Sequence, residues 1–538
     1  MSKRLRGDVA GDGGVESKKL KRGEVAALPG KAMNRFGELV AWVRQEGGLF
    51  DEAKIEISES HSLGYHVRAV SDLAPGDRVL SVPERIMLTW PLIKKSNVAS
   101  VFASCGLTTF EHHGAALSRE LDRLQKMGGQ ELLSDIRSNR MRAISPNLSP
   151  TEATDEAKIS DKGLLVAFLT HARLDRPMYL GKPMPSTHGP YVRTLPDSFH
   201  LPLAWDEADL QRLASCILGH KTLRLVAAQT AVLVRDFCTF RREKKICELL
   251  GLFPDGMDEK FSREKAFDTM IWACSAITSR VFGGMEAMTG TKAGAGDRPG
   301  FGVMVPLFDL FNHDPISAQI TFSPPYGVIH KDVPRGEQIV SHYGAEQSNA
   351  DLLVCHGFAQ WNGPHDSLVV GWSLPGVAKA PQESAALLAA ILSSVCSGGD
   401  EAQKKIFSRV LMQGGVVENV LTHAKPLGEY LVKIGNAVAS SSLVERSNES
   451  VEKKAQAYLY SYLHGKREKL LKHLEGNYEN RPWEETVKKA RGIQNNCAVF
   501  GSTSYATTIQ SSTIAFYDSV LSILEHSIEV VEDSRWYQ

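Results

Sequence analysis

Residues 303–358 constrain the fold more than any other part of this chain. They read VMVPLFDLFNHDP, then a Gly/Pro-punctuated alternating run, then RGEQIVSHYGAEQSNADLLVCHGF. The apolar run 303–308 delivers an acid, an amide and an imidazole together, at Asp309, Asn312 and His313, and Pro315 stops the segment. The pieces QITF (319–322) and GVIH (327–330) are short and β-branched, with Pro324 and Pro325 between them. Arg335-Gly336 then turns the chain into Glu337-Gln338-Ile339-Val340, and Tyr343 lands just before Gly344. Short strands broken by turn residues predict a compact β-meander, with the polar cluster at one end and the tyrosine at the other.

Length and charge set the outer limits. The 538 residues allow two to four domains with a substantial core. Lys+Arg and Asp+Glu are both 62, and a net charge of zero argues against a general nucleic-acid-binding surface. No stretch approaches the ~20 continuous apolar residues of a membrane span. The charged N-terminus lacks the apolar segment of a secretory signal. Eight cysteines, at 105, 216, 238, 247, 274, 355, 396 and 497, never form CxxC or CxC. The expectation is reduced thiols in an intracellular protein and no metal site.

In chain order, residues 1–32 read as a disordered basic tail. Its two clusters, KRLR (3–6) and KKLKR (18–22), are either a bipartite nuclear-import signal or a solvated tail, giving a cytoplasmic and/or nuclear location. Phe36, Leu39, Val40 and Val43 have helical spacing, and residues 64–90 give two strand-like pieces joined by an Ala-Pro-Gly-Asp turn. Residues 107–162 are polar without sustained periodicity, which predicts a surface insertion. Helices are expected at 163–174, through 210–247 and at 263–282. GTKAGAGDRPGFG (290–302) fits neither a P-loop nor GxGxxG and reads as a flexible loop. HDSLVVGW (365–372) gives a last strand. Beyond Pro375, helical patterns at 383–395, 451–474 and 513–524 predict a helical C-terminal domain.

DLFNH followed by GEQIVSHYGAEQSNADLLVCHGF resembles the C-terminal half of a SET-domain protein methyltransferase. Within that class it is similar to the branch with a large helical insertion, typified by Rubisco large-subunit and actin-histidine methyltransferases. GYHVRA (64–69), GPYVRTLP (189–196) and TSRVF (278–282) match in the right order. The resemblance implies an α+β fold: a SET β-meander core, a helical insertion and an all-α C-terminal domain. The implied boundaries are tail 1–32, N-terminal SET half 33–90, insertion 91–270, C-terminal SET half 271–372 and helical substrate-binding domain 376–530.

It also implies S-adenosylmethionine as cofactor, with Gly64, His66, Arg68, Arg280, Asn312, His313, His356 and Phe358 around it. His66 stands where the family usually has a second glycine. Phe282, Phe308 and Asp309 fall at the substrate channel, and Tyr343 is the catalytic residue. Lysine-methylating relatives tend to carry an aromatic at Phe282 and histidine-methylating ones an asparagine, so lysine is the expected target. The missing cysteine-rich zinc cluster implies a non-histone protein substrate. Two other readings stay open: a histidine-directed enzyme, and a SET-fold binding module without catalysis.

The chemistry sets its own demands. A lysine near its reference pKa of about 10.4 is protonated at pH 7, a deficit of about 4–5 kcal/mol that a narrow, dry channel can offset. Aromatic walls and an oxygen dipole then orient the transferring methyl group. Asp309 and His313, at i and i+4, would pair on a metal only in a helix, which Pro306 and Pro315 prevent. Ser341-His342 lacks the GxSxG elbow of a serine hydrolase.

Overall fold

The computed structural model describes residues 29–60, 64–146, 159–174, 178–179, 182–184, 186–214, 219–252, 259–283, 302–344, 347–361, 365–373, 416–421, 450–477, 482–496 and 505–532, with positions 427, 434, 436 and 439. The two basic clusters, most of the 290–302 loop and the 383–395 helical pattern lie outside them.

The sheet joins halves of the chain that are far apart in sequence. Strand Arg78–Ser81 pairs antiparallel with Leu49–Phe50 on one side and with Tyr326–Ile329 on the other, and the latter pairs with Ile320–Ser323. Gly327 faces Leu80 at a point where an added Cβ would come within 3.2 Å of the leucine Cβ, so a glycine suits this crossing. The pieces expected at 64–69 and 78–81 do form strands, but they do not pair with each other. Gly64–Ala69 makes its hairpin with Ile55–Ser60 and is stitched on its other edge to residues 337–339, through Ala69 N to Glu337 O (2.9 Å) and Ile339 N to Val67 O (2.8 Å). A short parallel pairing, Asn312 with Val340 and His313 with Ser341, sets the NH pair beside the segment that leads to Tyr343.

The expected polar surface insertion at 107–162 is not what forms. Residues His113–Leu124 and Gly129–Ile144 are helices, and both pack on the long helix Gly219–Arg242. Leu124, Leu132, Leu133 and Ile136 are fully buried there. Two short amphipathic helices with few apolar positions give little periodicity to read, yet a narrow apolar stripe is enough when it meets a broad partner. Helix Asp161–Ala172 is buried along every residue, and the Ser160 hydroxyl caps it by accepting from Gly163 N at 2.9 Å.

Two cores result. The first lies under the sheet and holds Phe36, Val79, Leu80, Phe308, Phe311 and Ile339. The second unites the inserted helices with the C-terminal ones, Leu132, Leu213 and Leu223 meeting Leu459, Leu463, Phe516 and Leu524. Helices Val451–Asn477, Trp483–Asn496 and Tyr505–Glu532 make up the C-terminal part. Among the described residues it departs from the all-helical expectation where the β-branched VVENVL (Val416–Leu421) pairs antiparallel with Leu368–Ser373. Asp366 is buried and binds Asn349 Nδ2 at 2.6 Å and the Ser519 hydroxyl, tying helix Asn349–His356 to the last helix. No helix among the described residues is long and apolar enough to cross a membrane.

Candidate active site

The site forms where helix Glu259–Arg280 runs out into strand Val281–Phe282, which pairs with Val303–Met304. The chain then enters a one-turn 3-10 segment, Phe308–Leu310, through Leu307 at φ +67°. A buried leucine in the left-handed region costs about 1–2 kcal/mol, and packing of the apolar run 303–308 holds it. That bend aims Asp309 back at the helix end. Arg280 Nη1 donates to the Asp309 carbonyl at 2.9 Å and to Oδ2 at 3.0 Å, while the Tyr191 hydroxyl donates to Oδ2 at 2.8 Å. Burial opposes the Arg280 charge, but Asp309 outweighs it and holds the guanidinium above its ordinary pKa. Burial, then Asp309, pushes the Tyr191 hydroxyl well up.

Four rings gather beside this ion pair. The Tyr343 ring lies 5.1 Å from His313, 4.6 Å from His356 and 6.5 Å from Phe358 between centroids. Tyr343 N donates to His313 Nδ1 at 3.0 Å, so the His313 proton sits on Nε2. The Tyr343 hydroxyl donates to the Phe311 carbonyl at 3.1 Å. His356 Nδ1 lies 3.1 Å from the Ser279 carbonyl, which fixes the opposite tautomer, with the proton on Nδ1. Burial raises Tyr343 to about 12 and lowers His313 and His356 to about 4 each. Near neutral pH the site therefore holds a protonated phenol and two neutral imidazoles.

Between them lies a cavity of about 20 Å³, lined by Ser279, Arg280, Val281, Phe282, Asp309, Tyr343 and His356. A space of that size takes one water, methyl or amine nitrogen, and no larger ligand. Of the residues expected at the site, Arg280, Phe282, Asp309, Tyr343 and His356 meet around it, and His313 and Phe358 complete the ring cluster. Gly64 (φ +62°) opens its strand, which packs against the 308–310 turn. His66 is buried with Nδ1 3.0 Å from the Gly64 carbonyl. Arg68 is exposed and paired with Glu56, so its side chain leaves the site altogether. Asn312 sits in the parallel pairing with Val340, outside the cavity.

One substrate assignment needs correcting. Phe308 is 2 % exposed and packs against Phe282 (5.1 Å), Phe311 (5.3 Å) and Phe322 (4.9 Å), so it supports the wall from behind. Asp309 reaches the cavity with Oδ2 bonded by both Arg280 and Tyr191, which anchors it, while no described residue bonds Oδ1. Tyr191 was not among the expected site residues. Its only signal was its place inside the GPYVRTLP landmark. Among the described residues no three His, Cys, Asp or Glu side chains gather as metal ligands.

No family model matches the chain. Its sequence is 21% identical over 359 residues to actin-histidine N-methyltransferase of Danio rerio, covering 66% of this chain and 47% of that protein. It is 24% identical over 198 residues to the chloroplastic fructose-bisphosphate aldolase lysine N-methyltransferase of Arabidopsis thaliana, 34% of this chain and 36% of that one. The chain spans about half the length of the curated relatives it matches first. Among solved structures, Rubisco LSMT bound to sinefungin and monomethyllysine superposes with a TM-score of 0.52 at 15% identity, over 93% of this chain and 92% of that one. Rubisco LSMT bound to AdoMet gives 0.51 over the same shares. The chain has the SET-domain methyltransferase fold.

Proposed function

We propose that this chain is an S-adenosylmethionine-dependent protein N-methyltransferase whose preferred target is a lysine of a non-histone protein. The observation that carries the reading is the small cavity walled by Phe282, Tyr343 and His356 at the join of the two SET halves. The residues suit the cofactor. Arg280 Nε is a buried donor with no partner among the described residues, which fits a carboxylate. The amide of Asn312, the His313 imidazole and the flat face of Phe358 suit the polar and aromatic ends of a nucleoside. Bound there, S-adenosylmethionine supplies an electrophilic methyl group on a sulfonium.

The chain's own side chains do the rest. Phe282, backed by Phe308, excludes water and disfavours an ammonium, so the nucleophile enters as the neutral amine. Tyr343 keeps its proton, already donated to the Phe311 carbonyl, and presents an oxygen to the cavity. It is a poor general base in this state. The amine's proton therefore leaves to solvent before entry, and Tyr343 orients positive charge through its oxygen and ring.

Histidine is the second reading, favoured by the actin-directed relatives. Transfer of labelled methyl from S-adenosylmethionine into proteins of a cell extract, with mass spectrometry of the modified residue, separates the two. Label on lysine is the expected result. Label on histidine overturns the weight placed on Phe282. Failure to bind S-adenosylhomocysteine in calorimetry removes the enzyme reading and leaves a binding module.

A further inference from the structure

His356 was expected at the cofactor. Its surroundings give it other work. It ends helix Asn349–His356, and its Nδ1–H is committed to the Ser279 carbonyl at 3.1 Å. That bond fixes the ring's rotation and tautomer, leaving Nε2 with a lone pair and no hydrogen. No described residue donates to Nε2, and it is not sealed off by packing. The ring faces Tyr343 at 4.6 Å and lines the cavity, which has room for one nitrogen or one methyl.

Of the other acceptors around the cavity, the Tyr343 oxygen is assigned to the positive charge of the transferring methyl group, which leaves the orientation of the nucleophile's N–H to another group. Asp309 bonds Arg280 and Tyr191 through Oδ2, and the Arg280 counter-charge makes its remaining oxygen, Oδ1, a weaker acceptor than a free carboxylate. Phe282 and Val281 carry no side-chain acceptor. His313 accepts from Tyr343 N and is not among the residues that line the cavity. The charges facing His356 are Arg280 from the neighbouring helix end, which discourages protonation of the imidazole, and Asp309 behind that arginine. Cys355 beside it on its own helix is held as the neutral thiol by burial.

We propose that His356 is a catalytic residue that touches the substrate, accepting through Nε2 a hydrogen bond from an N–H of the neutral nucleophile and so turning its lone pair along the channel. The bond uses one N–H of an amine or of an imidazole and leaves the attacking lone pair free. No proton has to move for it to act. A rotationally loose amine in a cavity of this size needs such a direction, because misalignment of reacting atoms by about 1 Å costs about 100-fold in rate. This rests on the methyltransferase reading above.

Side-chain geometry supplies the test. In His356→Asn the amide nitrogen can replace Nδ1 toward Ser279, while nothing reaches the cavity. In His356→Gln the longer side chain can place its carbonyl oxygen where Nε2 lies. His356→Phe keeps the ring and loses both. Each variant is compared with wild type for S-adenosylhomocysteine affinity by calorimetry and for initial rates of labelled methyl transfer into the modified protein of the extract. The expected result is an unchanged dissociation constant throughout, a fall of about 100-fold in rate for Phe and Asn, and recovery of most of it in Gln. Recovery in Asn but not Gln assigns His356 a purely structural role and overturns the proposal. So does a lost cofactor affinity in all three, which would return His356 to the cofactor site. If Phe does not fold, the Asn and Gln pair decides alone. A wild type that binds no cofactor and transfers no methyl fails at the parent reading, whereas an active wild type with unaffected variants fails at His356 only.

Discussion

At the scale of single residues, Tyr343 and Arg280 divide the work of the site. Tyr343 touches the cavity and its hydroxyl bonds only the Phe311 carbonyl, so the fold does not depend on that hydroxyl. Tyr343→Phe is expected to slow methyl transfer by about 100- to 1,000-fold, the loss seen when one oriented oxygen dipole is removed. Its S-adenosylhomocysteine affinity should stay as in wild type, and an equal transfer rate would take Tyr343 out of the mechanism. Arg280 is different, because Asp309 and Tyr191 both depend on it. Arg280→Met leaves a buried carboxylate without its counter-charge and is expected to cost about 3–5 kcal/mol in a urea titration. A loss below about 1 kcal/mol would mean the pair is solvated. Most of this was legible. Asp309, Tyr343 and Phe282 stand in motifs that name them, whereas Tyr191 reaches Asp309 across 118 residues and only folding reveals the contact. Phe282 and Phe308 look alike as letters. Which one faces the cavity depends on a bend at Leu307 that no glycine or asparagine announces.

At the scale of elements, helix Asn349–His356 carries the site's far wall. Ser348 starts it with a capping box, its hydroxyl accepting from Asp351 N at 3.3 Å. Gly357 stops it at φ +82°, where an added Cβ would lie 2.8 Å from the His200 carbonyl carbon. Both strain and a backbone clash oppose any side chain there. Gly357→Ala is expected to destabilise the protein by about 2 kcal/mol or more, read as a lower urea midpoint. It should also displace His356 and Phe358 and so reduce transfer even where the protein remains folded. A midpoint within error of wild type would contradict that account. SNADLL and HGF hold the local signals of this helix, a cap, an apolar run and a glycine stop, although they entered the expected fold only as part of the family resemblance. The helices His113–Leu124 and Gly129–Ile144 were not readable. Their buried face is decided by helix Gly219–Arg242, roughly a hundred residues downstream, and a stripe so narrow reads as noise until its partner is known.

At the scale of the whole molecule, the two cores enclose several imidazoles that folding keeps uncharged. Burial lowers His188, His313 and His356 to about 4, against an ordinary value near 6.5. His188 is 2 % exposed and wedged between the rings of Trp42 (5.5 Å) and Phe168 (5.6 Å). In the unfolded chain these imidazoles take up protons as the pH falls through about 6.5, but in the folded protein they do not until about 4. The unfolded state therefore binds more protons across that window, and stability must rise with pH through it. Each fully buried imidazole contributes a slope of at most about 1.4 kcal/mol per pH unit. Burial also raises Asp236, Asp209 and Asp268, and these act in the opposite sense, because the folded state then protonates first. Their window opens upward from the ordinary carboxylate value, so they offset part of the histidine slope. Urea midpoints are expected to be flat above pH 7 and to fall steadily from 6.5 to 5. Replacing His188 by phenylalanine, whose ring needs no desolvated nitrogens beside Trp42, should flatten that slope, and a slope unchanged by the substitution would place the proton uptake elsewhere. Methyl transfer, by contrast, should show no inflection near 6.5, since the imidazoles at the cavity are already neutral above about 4. The acid limit of this protein then belongs to its cores, and it is reached through unfolding before the site itself titrates.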